Sequence, residues 1–235
     1  MPPPLLAHED SGDHEPTAPL REPARNQRPA LLVLGVIAVV LLGFAAGLLV
    51  GNRDTAAAAG SVDIGFSQDM SVHHGQAVEM SAIALAGSDD PAIKRLAYDI
   101  LTTQQNQAGR MQAWLSLWGE PLLPADGYMG WMSEASSHHG GGQHTGSVPS
   151  MPGMASDQEL ATLRTATGPA LDKLFLQLML RHHQGGMPMI EYAAQRADTD
   201  QVRNLAGTMA KTQASESQLM TQMLAERGAT PLPMN

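Results

Sequence analysis

A displacement of 109 residues lays the chain on itself without a gap: Asp63, Phe66, Gln68, Met70, His73, His74 and Met80 fall on Asp172, Phe175, Gln177, Met179, His182, His183 and Met189. Further along, Leu96, Ala97, Thr103, Gln104, Met111, Leu115, Gly119 and Pro124 recur as Leu205, Ala206, Thr212, Gln213, Met220, Leu224, Gly228 and Pro233. Each copy reads as two helices joined by a short turn. One such hairpin leaves its apolar face uncovered, so two must pack together. The expected fold is all-α, a four-helix bundle made of two repeated helical hairpins.

Local signals punctuate those helices. The first runs from about Val62 to Ala86. The second opens at Asp90-Pro91, an N-cap residue followed by proline at the first helical position, and reaches Trp118. The third spans Gly168-Pro169 to Arg196 and the fourth Asp200 to Arg227. Gly119 and Gly228 stand where left-handed C-caps belong. The segment Ser156-Asp157-Gln158-Glu159 reads as a capping box that opens a short extra helix. No convincing alternating strand appears, and aromatic residues make up only 4% of the chain, which argues against a sheet.

Upstream of the repeat lies an uncharged apolar run, Ala30 to Val50. At a rise of ~1.5 Å per residue it spans roughly the hydrocarbon core of a bilayer. A cleaved signal peptide is the competing reading, with the alanines at 56–59 as the cleavage region. The run is long for a signal sequence, however, and a polar segment precedes it. Arg21, Arg25 and Arg28 precede the run and Arg53 follows it, so the positive-inside rule puts the N-terminus in the cytoplasm. The expected organisation is a disordered cytoplasmic segment (1–29), a transmembrane helix (30–51) and a tether (52–61). The first hairpin (62–124), a Met/His/Gly-rich crossover (125–167) and the second hairpin (168–235) follow. The expected location is the cell membrane, single-pass, with the C-terminal part extracytoplasmic.

The chain has no cysteine, which removes disulfides and thiolate metal sites. From Asp54 onward ten basic residues face eighteen acidic ones. No basic patch is available to neutralise phosphates, so a nucleic-acid partner is not expected. Nor does the sequence contain a nucleophile triad, a P-loop or a dinucleotide fingerprint. Nothing in it calls for an enzyme.

What remains is a methionine–histidine pattern. On a helix Met70, His73 and Met80 lie along one stripe, with His74 about 100° further round. The second copy repeats this with Met179, His182, His183 and Met189, and adds Met187. Met111 and Met220 hold matching places on the partner helices, where they close each site from across its hairpin. Thioether and imidazole together suit Cu(I) or Ag(I) better than hard cations. His73 and His182 share the methionine stripe and rank above His74 and His183 as ligands. Binding through neutral imidazole predicts affinity that falls below about pH 6. Pro188 removes a backbone donor inside the third helix and is expected to kink it, re-aiming Met187 and Met189. The crossover carries Met129, Met132, His138, His139, His144, Met151 and Met154, a composition that captures metals weakly.

Two other readings compete. Methionine at helical spacing also fills cores, which would make this a structural or partner-binding bundle without metal. A di-iron, ferroxidase-like site would need inward glutamates in both halves. Yet Glu79 is matched by Pro188, and Glu216 by Gln107.

The segments FSQDMSVHHGQAVEMS and FLQLMLRHHQGGMPMIEYA resemble the signature of the domain of unknown function 305 family, close to F-x-x-x-M-x-x-H-H-x-x-A-[IV]-x-M. The resemblance covers roughly residues 62–232, with the motif present twice. It implies a ferritin-like fold and, through CopM-type copper-binding relatives, copper as the metal. The positions it carries over are Met70, His73, His74, Met80, Met179, His182, His183 and Met189. The chain departs from the signature at Gly186 and Pro188, where many members have Ala and Glu. The expected function is that of a membrane-anchored extracytoplasmic protein sequestering or transferring Cu(I).

Overall fold

The computed structural model describes residues 28–51, 59–132 and 146–235. The expected disordered N-terminus, most of the tether, and His138, His139 and His144 of the crossover fall outside the described residues. Among the described residues the chain is helical, with no strand. Six helices follow in order: α1 (Arg28–Gly51), α2 (Ser61–Gly87), α3 (Pro91–Trp118), α4 (Asp157–Thr165), α5 (Gly168–Arg196) and α6 (Asp200–Glu226). The chain divides into two compact units, Met1–Asp54 and Thr55–Asn235.

In the first unit, α1 carries no acidic residue in its first turn and no basic residue in its last. Its apolar side chains, Leu32, Val36, Val39 and Phe44 among them, are exposed on all sides. Among the described residues no helix is long and apolar enough to cross a membrane.

The second unit holds the repeat. Asp90 caps α3 by accepting from Ala92 N at 2.8 Å, and Pro91 follows at the first helical position. Gly119 ends the helix at φ 75°, where its N–H reaches back to the Leu115 and Ser116 carbonyls. Ser156 and Glu159 form the reciprocal capping box of α4. Helix α5 runs unbroken through Pro188, whose ring is exposed. The missing N–H therefore falls on the water side, where solvent can satisfy the carbonyl it leaves free.

Helices α2 and α3 pack as one hairpin, α5 and α6 as the other, and the two join along α2 and α5. These two central helices run antiparallel. The end of α2 meets the start of α5, where Gly87 abuts Leu171, and Gly186 further along α5 abuts His73. Each central helix also ties down the turn of the opposite hairpin. Asp63, at the start of α2, accepts from Asp198 N (2.8 Å), Thr199 N (3.0 Å) and Thr199 Oγ1 (2.6 Å). Its repeat counterpart Asp172, near the start of α5, accepts from Ser88 Oγ at 2.6 Å. The exchange is reciprocal, as expected when two copies of one hairpin face each other.

The crossover is fastened to this frame. Gln76 on α2 hydrogen-bonds both backbone groups of Ala155, at 2.8 and 2.7 Å. At the repeat-equivalent position on α5 stands Gly185, with the carbonyl of Pro152 lying 2.2 Å from where a Cβ would be. One half thus grips the passing segment, and the other makes room for it. Further back, Trp131 lies over Gly65, edge-on to Phe66 with ring centroids 6.0 Å apart. Its Nε1 and the Met129 N–H both donate to Asp69 Oδ2 at 2.7 Å. Burial pushes the Asp69 carboxyl up against the pull of those two donors.

Candidate metal centre

The middle of the α2–α5 contact is polar. His73, His74, His182 and His183 are all buried, at 0–1% exposure. His73 and His182 lie on the faces that α2 and α5 turn toward each other, and His74 and His183, one residue on, turn toward α3 and α6. The ring of His73 lies against that of His182, centroids 3.7 Å apart and planes inclined by 31°. The centroid of His183 is 6.4 Å from that of His182.

The outer histidines are oriented by the partner helices. His74 Nε2 is 2.7 Å from Gln107 Oε1 on α3. His183 Nε2 is 2.7 Å from Glu216 Oε2 on α6. Both contacts need the imidazole to carry its proton on Nε2, which leaves Nδ1 as a bare lone pair. Those two Nδ1 atoms, and both nitrogens of His73 and of His182, meet no partner in full hydrogen-bonding geometry among the described residues, although the backbone of Pro152 approaches His73 and that of His73 approaches His182. Leaving six buried ring nitrogens unsatisfied is costly, since each forfeits its hydration.

Burial keeps three of these rings neutral, those of His73, His74 and His182. Burial pushes His73 down to about 3, with His74 and His183 adding repulsion. Burial likewise lowers His74 to about 4, partly offset by its hydrogen bond to Gln107. His182 is held well below the usual imidazole value, first by burial and then by His73. His73, His74 and His182 therefore stay unprotonated in the folded protein below the pH at which an ordinary imidazole takes up its proton.

The methionines divide into two groups. Met70, Met111 and Met189 share one apolar core with Phe66. Met80, Met179 and Met220 share the other with Phe175. All six are fully buried. Each group draws two methionines from one hairpin and one from the other. The packing therefore differs from the single-hairpin grouping of Met70 with Met80 and Met179 with Met189: in the apolar cores, Met189 lies with Met70 and Met80 with Met179. The antiparallel crossing of α2 and α5 brings Met189 to the Met70 end and Met80 to the Met179 end. Met187 is only partly buried and belongs to neither core. Met151 of the crossover is buried in the first group, with Met129, Met132 and Met154 packed at its margin.

Among the described residues no three His, Asp or Glu side chains are grouped so as to hold a metal ion between them. The donor set on offer is therefore imidazole nitrogen combined with thioether sulfur. Unpartnered lone pairs among buried sulfurs fit a soft, weakly hydrated cation, whose desolvation is cheap. Sequence reasoning did not assign Gln107 and Glu216 to this centre. The signal was present all the same: each lies four residues before Met111 or Met220, on the same helical face. Of the carboxylates weighed as iron ligands, Glu216 contacts His183 and Glu79 pairs instead with Arg164.

The comparisons with known proteins agree with this architecture. A DUF305 protein of Streptomyces coelicolor, described as secreted, is 42% identical, with a TM-score of 0.65 over 73% of this chain and 97% of its own. A DUF305 fragment from Deinococcus radiodurans is 31% identical, with a TM-score of 0.57 over 72% of this chain and 98% of its own. CopM in its Cu(II)-bound form is 25% identical, with a TM-score of 0.53 over 70% of this chain and 96% of its own. A search of curated proteins finds no match. Residues 63–224, which hold both Met/His motifs and all four buried histidines, match the family described as domain of unknown function (DUF305), and the chain belongs to that family.

Proposed function

We propose that this protein binds copper, as Cu(I), through methionine and histidine side chains, and sequesters it or hands it on. The observation that carries this reading is the set of six ring nitrogens on four buried imidazoles without a partner in full hydrogen-bonding geometry, on the same helices as the buried Met70, Met80, Met179 and Met189. A fold gains nothing from burying them unpaired, and a soft cation would satisfy them. The ligands would come from Met70, His73, His74, Met80, Met111, Met179, His182, His183, Met189 and Met220. Met187, outside both cores, has the weakest claim. The copper-bound structures of CopM, a relative in fold, support copper as the cargo.

The two hairpins would form a ferritin-like four-helix bundle held outside the cytoplasm. Helix α1 would be the anchor, because its exposed apolar side chains face every direction and a bilayer would cover them all at once. The Streptomyces relative, described as secreted, is consistent with an extracytoplasmic bundle.

The test is a titration of the purified full-length protein with Ag(I), or with Cu(I) under reductant, followed by elemental analysis. Near-stoichiometric retention after desalting is the expected result. No retained metal, and no metal-dependent rise in melting temperature, would leave a purely structural bundle as the better account.

A further inference from the structure

The two halves of the centre differ at one atom pair. Gln107 and Glu216 occupy equivalent places in the repeat, and each sits 2.7 Å from Nε2 of the second histidine of its half. Each histidine keeps a buried, unpartnered Nδ1. Each half also has a methionine one turn before the histidine, Met70 or Met179. A second methionine, Met111 or Met220, lies one turn after the Gln or Glu. The donor sets match except that one half is backed by an amide and the other by a carboxylate.

Resting on the reading above that the centre binds metal, we infer that Glu216 makes the His183 half a site for a divalent cation, Cu(II), while the Gln107-backed His74 half holds only a monovalent soft ion. A neutral shell of imidazole and thioether leaves the full charge of a bound ion buried. One positive charge among polarisable sulfurs is tolerable there, but two are not. The carboxylate at His183 Nε2 cancels one of them. It also strengthens Nδ1 as a donor, since a carboxylate on the far nitrogen raises the basicity of a ligating imidazole. Glu216 reaches His183 at 2.7 Å through a side chain that is 15% exposed, at the edge of the buried centre. Glu216 is thus a specificity-determining residue that does not itself need to touch the ion.

The test uses the full-length protein, titrated separately with Ag(I) and, without reductant, with Cu(II), the latter followed by electron paramagnetic resonance. Wild type should bind Ag(I) in both halves but Cu(II) in one, with nitrogen hyperfine coupling. Glu216→Gln should weaken Cu(II) binding by about 10–100-fold and leave the Ag(I) stoichiometry unchanged. Gln107→Glu should add a second Cu(II). Unchanged Cu(II) affinity in Glu216→Gln would overturn the inference, as would a Gln107→Glu protein that folds but gains no Cu(II). Loss of Ag(I) and Cu(II) alike from wild type would instead sink the metal reading on which the inference rests.

Discussion

The imidazole of His73 on α2 lies against that of His182 on α5, with ring centroids 3.7 Å apart and no side-chain hydrogen bond to either ring among the described residues. These residues are repeat equivalents, so the contact joins the chain to its own copy. A pair that served packing alone would be better built from apolar side chains, because unsatisfied buried polar atoms cost about 1–3 kcal/mol each. Replacing both with leucine is therefore expected to stabilise the metal-free protein by about 1–3 kcal/mol while abolishing Ag(I) binding. Thermal unfolding and silver titration of the same sample check both halves of that trade. A His73→Leu/His182→Leu protein that binds silver like wild type would move the ligands elsewhere.

The depressed imidazoles set a pH dependence of stability. An unfolded histidine titrates near 6.5, whereas His73 and His74 in the fold titrate near 3 and 4. Between those values the unfolded chain binds more protons than the folded one, so stability rises with pH across that window. The contribution is complete above about pH 6.5. It declines as pH falls, and levels off once the folded rings protonate too. Unfolding free energies by denaturant should be flat from about pH 8 to 7 and should drop steadily toward pH 4. Saturating Ag(I) binds only the neutral rings of the folded state, so it should raise stability at every pH in that range. A stability that increases on acidification through this range would contradict the assignment.

Asp63 carries the tie between the first hairpin and the turn of the second. It is fully buried and accepts three hydrogen bonds from Asp198 and Thr199, together with one from Gly60 N at 3.1 Å. Asp63→Ala strands those donors and should cost about 2–4 kcal/mol, at the upper end of what losing hydrogen bonds to a charged group costs. Asp172→Ala should cost less, because Asp172 accepts one such bond, from Ser88. Chemical denaturation of the two variants side by side checks the order. The inverse ranking would mean that the turns are held by other contacts.

Gly186 is a matter of space at the centre. A Cβ placed there would sit 2.8 Å from Cε1 of His73. Gly186→Ala must therefore push the His73 ring away from its seat, at a cost of about 1–3 kcal/mol for overpacking. Silver affinity should fall along with stability. Gly207→Ala, on α6 with nothing within 4 Å of its Cβ position, serves as the control and should bind normally. A tight-binding, stable Gly186→Ala protein would show that His73 has more freedom than its packing indicates.

Much of this was legible in local patterns. Asp90-Pro91 and Gly119 announced the ends of α3, because caps are written in residues adjacent in the chain. The departure from the family signature at Gly186 was visible too, but its cause was not. That required knowing that His73, more than a hundred residues earlier, lies against it. Gln107 and Glu216 were likewise in plain view as a mismatched pair. Only the approach of α3 to α2 and of α6 to α5 turned them into partners of His74 and His183.

By itself the amino-acid order determined that the chain is helical, that one hairpin is used twice, and which sulfur and nitrogen side chains could meet a metal. Periodicity, capping and repetition are properties of neighbours along the chain. Which methionines share a core was decided only in the tertiary structure. Two repeated hairpins offer similar apolar faces whether each closes on itself or lends a side chain to the other. The antiparallel packing of α2 on α5 chose the second, setting Met189 with Met70 and Met80 with Met179. The contacts that fix this direction, Gly87 against Leu171 and His73 against Gly186, join residues far apart in the chain, and no local pattern announces them.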